Sequence, residues 1–284
     1  MKKSIYYLMV LSVLFAPFIL NSCKKVEKRP VGLQLYSLRD DMAKDPTGTI
    51  EKLGKIGFSF VEAYGYDNGK LFGMEPTAFS ALCEKNGMKL LGSHTGANMP
   101  DSANWNKTMA WWDKCIADHK AAGVKWLIQT WIDSISYTSL ANLKKQLTYF
   151  NAVGEKCNAA GMKFGYHNEN TEFVEVEGQI VFDYMIKNVD STKVFFQLDD
   201  MNMTMAGKKP LDYIKKYPGK FYLWHVKDEK ELGASGKVDL KGMFENADLS
   251  GVKYYVVEQE AYTTTPLEGV QKDFDYMKKS EFVK

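Results

Sequence analysis

The chain has 284 residues, of which 45% are hydrophobic and 25% charged, and its formal net charge is +2. These proportions are those of an ordinary globular protein. So small a net charge offers no basic face for nucleic acid, and no nucleic-acid partner is expected.

The N-terminal segment reads as a targeting signal rather than as part of a fold. Met1-Lys2-Lys3 is a basic start, Tyr6 to Leu20 is an apolar run, and Asn21-Ser22-Cys23 follows. This is too short and wrongly flanked for a transmembrane helix. The ending Leu20-Asn21-Ser22-Cys23 resembles a bacterial lipobox, in which the cysteine is lipidated and becomes N-terminal after cleavage. The expectation is therefore an exported bacterial lipoprotein, anchored through Cys23 and facing the periplasm or the outer membrane. Residues 1–22 would be its signal peptide, residues 23–30 a charged tether, and residues 31–284 the folded domain. That remainder is close to the roughly 250 residues of a single α/β barrel. Three cysteines remain, Cys83, Cys115 and Cys157, each in a helix-like stretch. An odd number cannot all pair, and buried free thiols are expected.

One local signature recurs along the domain: a helical pattern ends in glycine and an apolar run starts at once. It occurs at Gly57, Gly87, Gly123, Gly161, Gly219 and Gly251. Glycine just past a helix accepts a left-handed backbone without a Cβ clash. Two further strands lack the glycine, one from Val31 and one from Val194. Eight strands are thus predicted, beginning near residues 31, 58, 89, 126, 163, 194, 221 and 254. The spacing leaves room for a crossover helix in each interval, such as Thr47–Ile56, Trp105–Ala122 and Leu140–Ala160. The pattern predicts one α/β domain, a (β/α)8 barrel, with an open doubly wound sheet as the alternative. No Gly-x-Gly-x-x-Gly follows the first strand, which counts against a dinucleotide site.

In such a barrel, functional groups gather at the C-terminal ends of the strands. Gln34, Tyr36 and Arg39 fall there on the first strand, Glu62 on the second, and His94 on the third. Gln129 and Trp131 belong to the fourth. The last four strands end in His167 with Glu169, Asp199, His225 with Lys227, and Glu258 with Glu260. Alternation along a strand puts His167 and Glu169 on one face, and likewise His225 with Lys227 and Glu258 with Glu260. Asp200 and Asp228 are expected to cap helices, and His119 to lie on a helix surface. Imidazoles and carboxylates on four successive strands suit one divalent ion: Mn²⁺, Zn²⁺, Co²⁺, Fe²⁺ or Mg²⁺. Trp111 and Trp112, at helical spacing, are read as core.

Several of these runs carry a family resemblance: Gly32-Leu-Gln34-Leu-Tyr36-Ser-Leu-Arg39-Asp40, Gly165-Tyr-His167-Asn-Glu169, Gln197-Leu-Asp199, His225-Val-Lys227-Asp228 and Val257-Glu258-Gln259. In order and strand position they resemble the xylose isomerase-like TIM-barrel superfamily, often labelled sugar phosphate isomerase/epimerase. The resemblance implies a metal held by Glu, Asp, His and Glu from strands 5 to 8. Asp199, His225 and Glu258 match the last three, whereas His167 stands where the epimerases keep a glutamate. It further implies proton transfer beside a sugar carbonyl through an enediolate, shuttled between two glutamates. The expected ligands are His167, Asp199, His225 and Glu258. Glu258 or Glu169 would act as base, and Lys227 would steady the developing oxyanion. Gln34, Tyr36, His94 and Trp131 would line the pocket for a small carbohydrate. The loss of one glutamate keeps a second activity open, a metal-dependent lyase or hydratase of 3-keto sugars or 3-keto-glycosides. A lipid-anchored carbohydrate-binding protein is the alternative outside enzymes. No oligomeric state is implied.

Overall fold

A computed structural model describes residues 29–283. The signal peptide, Cys23 and most of the expected tether lie outside the described residues. Eight parallel strands close a barrel: β1 (Val31–Gln34), β2 (Phe60–Tyr64), β3 (Lys89–His94), β4 (Trp126–Gln129), β5 (Lys163–His167), β6 (Val194–Asp199), β7 (Phe221–Val226) and β8 (Tyr254–Val257). β8 closes on β1 with Val31 opposite Tyr255. The barrel is the predicted one, not the open sheet. Seven of the eight strands start at the predicted residue, and β2 starts two residues later.

The six glycine junctions explain this agreement. Each glycine has φ between 74° and 106°, a region that residues with a Cβ avoid. The intervening helices include Pro46–Ile56, Trp105–Ala121 and Leu140–Ala159. The first is capped by the Asp45 carboxylate, which accepts from the Gly48 amide at 2.9 Å. One element was not predicted. Between β5 and β6, Glu175–Val176 and Gln179–Ile180 pair as a small antiparallel hairpin. Its turn, Glu177-Gly178, has φ of 48° and 74°, the primed geometry of a two-residue hairpin loop.

Two apolar layers hold the barrel. The larger lies between strands and helices and takes in Trp112, Cys83, Cys115 and Cys157, while the partly buried Trp111 packs against it. The three thiols are buried and free, as expected. The smaller layer fills the barrel interior with Phe60, Trp126, Ile128, Leu223 and Val256. Gly32 and Gly165 leave room for inward aromatic rings, since a Cβ there would meet Phe60 at 2.3 Å and Phe195 at 2.5 Å. Side chains alternate along a strand. Above this apolar floor the same inward faces therefore carry Gln34, Glu62, Gln197, His225 and Glu258. The floor positions the site.

Arg29 and Pro30, counted in the tether, already dock on the barrel. Arg29 Nε donates to the Val252 carbonyl at 3.0 Å, and the Pro30 carbonyl accepts from the Tyr255 amide at 3.2 Å. Among the described residues no helix is long and apolar enough to cross a membrane.

Candidate metal centre and active site

Four strand ends converge above the floor. One ligand atom each from His167, Asp199, His225 and Glu258 lies within 4.8 Å of the others, and all four residues are buried. Asp199 Oδ2 faces two of the imidazoles and an ammonium. It stands 3.5 Å from His167 Nε2, 4.0 Å from His225 Nδ1 and 3.3 Å from Lys227 Nζ. It is buried yet has no hydrogen-bond partner, an arrangement that buried polar atoms rarely keep. A bound cation would satisfy it. The two-nitrogen, two-oxygen donor set fits a borderline divalent ion such as Zn²⁺, Mn²⁺, Co²⁺ or Fe²⁺.

Local structure holds each group. Asp199 is also the N-cap of the helix Asp200–Met205, its Oδ1 accepting from the Asn202 amide at 2.6 Å. The cap is thus Asp199, whereas Asp200, expected in that role, opens the helix. Its Oδ1 instead accepts from the Lys227 backbone amide at 2.9 Å and fixes the exit of β7. Asp228 likewise caps no helix but accepts from the Glu229 and Ser235 amides in the loop that follows. The Asn168 side chain clasps the Asp199 backbone on both sides, at 2.9 and 3.1 Å.

Beneath the four donors lies a carboxylate that the sequence marked only as a strand-2 candidate. Glu62 is fully buried. Its Oε1 accepts from His225 Nε2 at 2.8 Å, from Gln34 Nε2 and Gln197 Nε2 at 3.1 Å each, and lies 2.9 Å from His94 Nε2. Its Oε2 accepts from the Trp126 indole at 2.7 Å. Burial alone would raise its pKa, but the two imidazoles beside it outweigh burial and hold it well below the usual carboxylate range. Gln34, expected to touch substrate, lies at this lower level instead. It is fully buried and donates to Glu62, so it does not wall the cavity.

Electrostatics separates the remaining acids. Burial opposes ionisation of Glu258, yet the Lys227 ammonium and His225 hold it well below its ordinary value. Glu169 behaves oppositely: burial and the neighbouring Asp199 push it up to about 8. His167 is kept neutral, pushed far down by burial and by the other two imidazoles. Burial also works against charge on His225, but Glu258 and Glu62 raise it to about 10. A ligating imidazole is neutral, so metal uptake at this residue would release a proton. Lys227 is held firmly charged, since Asp199, Glu258 and Glu260 outweigh its burial. Its Nζ lies 2.9 Å from Glu258 and 2.5 Å from Glu260.

A cavity of about 370 Å³ opens over this cluster. Tyr36, Tyr64 and Trp131 form its aromatic side, and His94, His167, Glu169, Asn202, Lys227, Glu258 and Glu260 its polar side. Of the residues given a role in catalysis, sugar binding or metal binding, all but Gln34, Asp199 and His225 line this space, and the strand-end candidates Arg39, Glu62 and Gln129 do not. Asn202 and Tyr64 were not anticipated. Asn202 Nδ2 donates to Glu169 Oε2 at 2.9 Å, and its only sequence signal was its place three residues after Asp199. His119, read as a surface residue, is fully buried. Its Nδ1 lies 2.8 Å from the Cys115 carbonyl, Tyr66 packs against its ring at a tilt with centroids 4.8 Å apart, and burial pushes its pKa down to about 4.

No protein of curated function matches this sequence. Among solved structures, a sugar phosphate isomerase/epimerase from Parabacteroides distasonis ATCC 8503 superposes with a TM-score of 0.84 at 30% identity, over 90% of this chain and all of that one. D-psicose 3-epimerase from Clostridium cellulolyticum H10, solved with D-tagatose, gives a TM-score of 0.71 at 16% identity, over 89% of this chain and 99% of the other. The IolI protein, solved with a zinc atom, gives 0.67 at 14% identity, over 87% and 95%. At these lower identities the likeness is one of fold. The sequence model of the xylose isomerase-like TIM barrel matches residues 50–280. The chain belongs to the xylose isomerase-like TIM barrel family.

Proposed function

We propose that this protein is a divalent-metal-dependent enzyme that moves a proton beside the carbonyl of an uncharged sugar, in isomerase or epimerase fashion. The observation that carries the proposal is the meeting of the His167, Asp199, His225 and Glu258 group with a second glutamate, Glu169, at one cavity. Glu258 is held ionised and Glu169 is held protonated up to about pH 8. His167, Asp199, His225 and Glu258 would hold the ion, whose role when bound is to polarise the sugar carbonyl. Glu258, as carboxylate, takes the proton from the carbon next to the carbonyl. Lys227 holds the oxygen on which negative charge develops. Glu169 returns a proton to the resulting enediolate. Tyr36 and Trp131 offer flat apolar faces against which a sugar ring packs.

The cavity wall supports an uncharged substrate. Lys227 is the one lysine or arginine among the lining residues, against Glu169, Glu258 and Glu260, and that lysine is already shared among carboxylates. A sugar phosphate would bring further negative charge to an acidic wall. A zinc atom in the IolI structure and a ketohexose in the D-psicose 3-epimerase structure agree with this reading.

A second activity is favoured by one substitution. With His167 on β5 in place of a carboxylate, the protonated acid Glu169 stands two residues further along, toward the open mouth. There it suits protonation of a departing glycosidic oxygen, which is elimination from a 3-keto-glycoside. Metal-loaded protein given a ketose and a 3-keto-glycoside in D₂O separates the two. Deuterium uptake without cleavage supports the isomerase, and aglycone release supports the lyase. His225→Ala is expected to lose both bound metal and turnover. An active, metal-free variant would overturn the proposal, and a wild-type protein that takes up no metal would point instead to a carbohydrate-binding protein.

A further inference from the structure

We propose that Glu62, buried beneath the cavity and hydrogen-bonded to His225, is a positioning residue that sets the tautomers of His167 and His225. The inference rests on the metal reading above and concerns which nitrogen each histidine offers.

Two donors around Glu62 and Gln34 have a direction that cannot be reversed. An indole nitrogen only donates, so Glu62 Oε2 accepts from Trp126. Gln34 Oε1 accepts from the Tyr36 backbone amide at 3.2 Å. A backbone amide also only donates, so the opposite end of that side chain, the NH₂ group, must face Glu62 Oε1. Both carboxylate oxygens are thereby fixed as acceptors. Every other neighbour has to donate to them.

Two consequences follow. His225 Nε2, 2.8 Å from Oε1, must carry hydrogen, so the proton that metal uptake would release is the one on Nδ1, which lies 3.0 Å from Glu258 Oε2 and 4.0 Å from Asp199 Oδ2. The Gln197 amide must turn its NH₂ toward Glu62, so its oxygen faces the other way. That oxygen lies 3.1 Å from His167 Nδ1 and 2.9 Å from His94 Nε2, so His167 carries hydrogen on Nδ1. Its bare Nε2 then points at Asp199 Oδ2. One carboxylate thus aims Nδ1 of His225 directly, and Nε2 of His167 through Gln197, into the same space. Outer partners of this kind fix ring orientation and basicity in metal sites.

Glu62→Gln is the discriminating change because it keeps the volume and replaces one acceptor by a donor. The new NH₂ group cannot face Trp126, which has no lone pair to offer. It turns to the histidine side, where an imidazole accepts only at a nitrogen without hydrogen, so the hydrogen that remains sits on the other nitrogen. For His225 that nitrogen is the metal-facing Nδ1. The variant is expected to fold, to bind Zn²⁺ about 10- to 100-fold more weakly, and to show the Nδ1–H tautomer of His225 in ring-carbon and ring-nitrogen NMR shifts. Unchanged affinity, or an Nε2–H ring in the folded variant, overturns the inference. Wild-type protein labelled in its histidines and loaded with ¹¹³Cd provides the check that needs no variant. Cadmium–nitrogen coupling is expected at Nδ1 of His225 and Nε2 of His167. Metal uptake with coupling at His225 Nε2 sinks this inference alone, whereas failure to take up metal sinks the underlying metal reading with it.

Discussion

Lys227 and Glu258 meet at the ends of adjacent strands, the ammonium 2.9 Å from Oε2. The same nitrogen reaches Asp199 at 3.3 Å, so one lysine serves both members of a carboxylate pair that sits almost wholly out of water. Lys227→Met therefore separates two roles. Without metal the variant is expected to lose about 3–5 kcal/mol of stability, the usual cost of stranding a buried charge, as read by denaturant unfolding. Metal should recover much of that loss, because the four donors remain. Turnover should still fall about 10²- to 10³-fold at full metal content, by analogy with removal of one oxyanion donor. A metal-loaded variant of normal rate would remove Lys227 from the chemistry.

The pH–rate profile should report Glu169. Its pKa is raised to about 8, so the protonated form is present below that pH and disappears above it. kcat is expected to decline as pH rises through about 8, and Glu169→Gln to abolish that limb along with about 10²- to 10⁴-fold of the rate. The linked effect on stability has the same sign. Because the folded value exceeds the ordinary 4.5, this group's contribution is complete below about 4.5 and is lost as pH climbs through 8. A basic limb that survives in Glu169→Gln would assign it to another group.

Replacing His167 by glutamate converts the donor set from two nitrogens and two oxygens to one and three. Carboxylate oxygen is the harder ligand, so the preference for Zn²⁺ over Mn²⁺ is expected to fall about tenfold or more. Competitive metal titration of His167→Glu against wild type measures it. An unchanged preference would mean that His167 is not a ligand.

Gly92 is the opening through which Trp126 reaches Glu62. A Cβ there would lie 2.1 Å from the indole nitrogen and 2.6 Å from Glu62 Oε2. Gly92→Ala must push the indole aside and break its hydrogen bond, at a cost of about 2–4 kcal/mol. Thermal unfolding would show it, and a neutral effect would mean that the barrel floor yields more easily than its packing implies.

The barrel was legible because its cues are local. Each glycine junction is a statement about one residue's backbone, and six of them punctuated the chain at nearly the observed points. The convergence of His167, Asp199, His225 and Glu258 was legible for a related reason, since a polar residue ending an apolar run declares itself without its neighbours. The layer beneath them was not. Glu62 bonds to Gln34, Trp126, Gln197 and His225 across 28, 64, 135 and 163 residues of sequence, and no spacing rule links residues that meet only when a barrel closes. Gln34 was placed in the pocket for want of that view. His119 failed similarly, because Tyr66, from the stretch after β2, covers a helix face that local pattern leaves open. The choice between Asp199 and Asp200 as helix cap turned on a single residue of register.

The two oxygens of Asp199 have a mechanical consequence. One faces the metal donors and the other accepts from the Asn202 amide, while the Asn202 side chain grips Glu169. Asn202 thus ties the candidate ligand to the candidate acid through one residue in the first turn of a helix. On the proposed reading, a sugar that draws on the metal side of the site would draw its proton donor with it through Asn202.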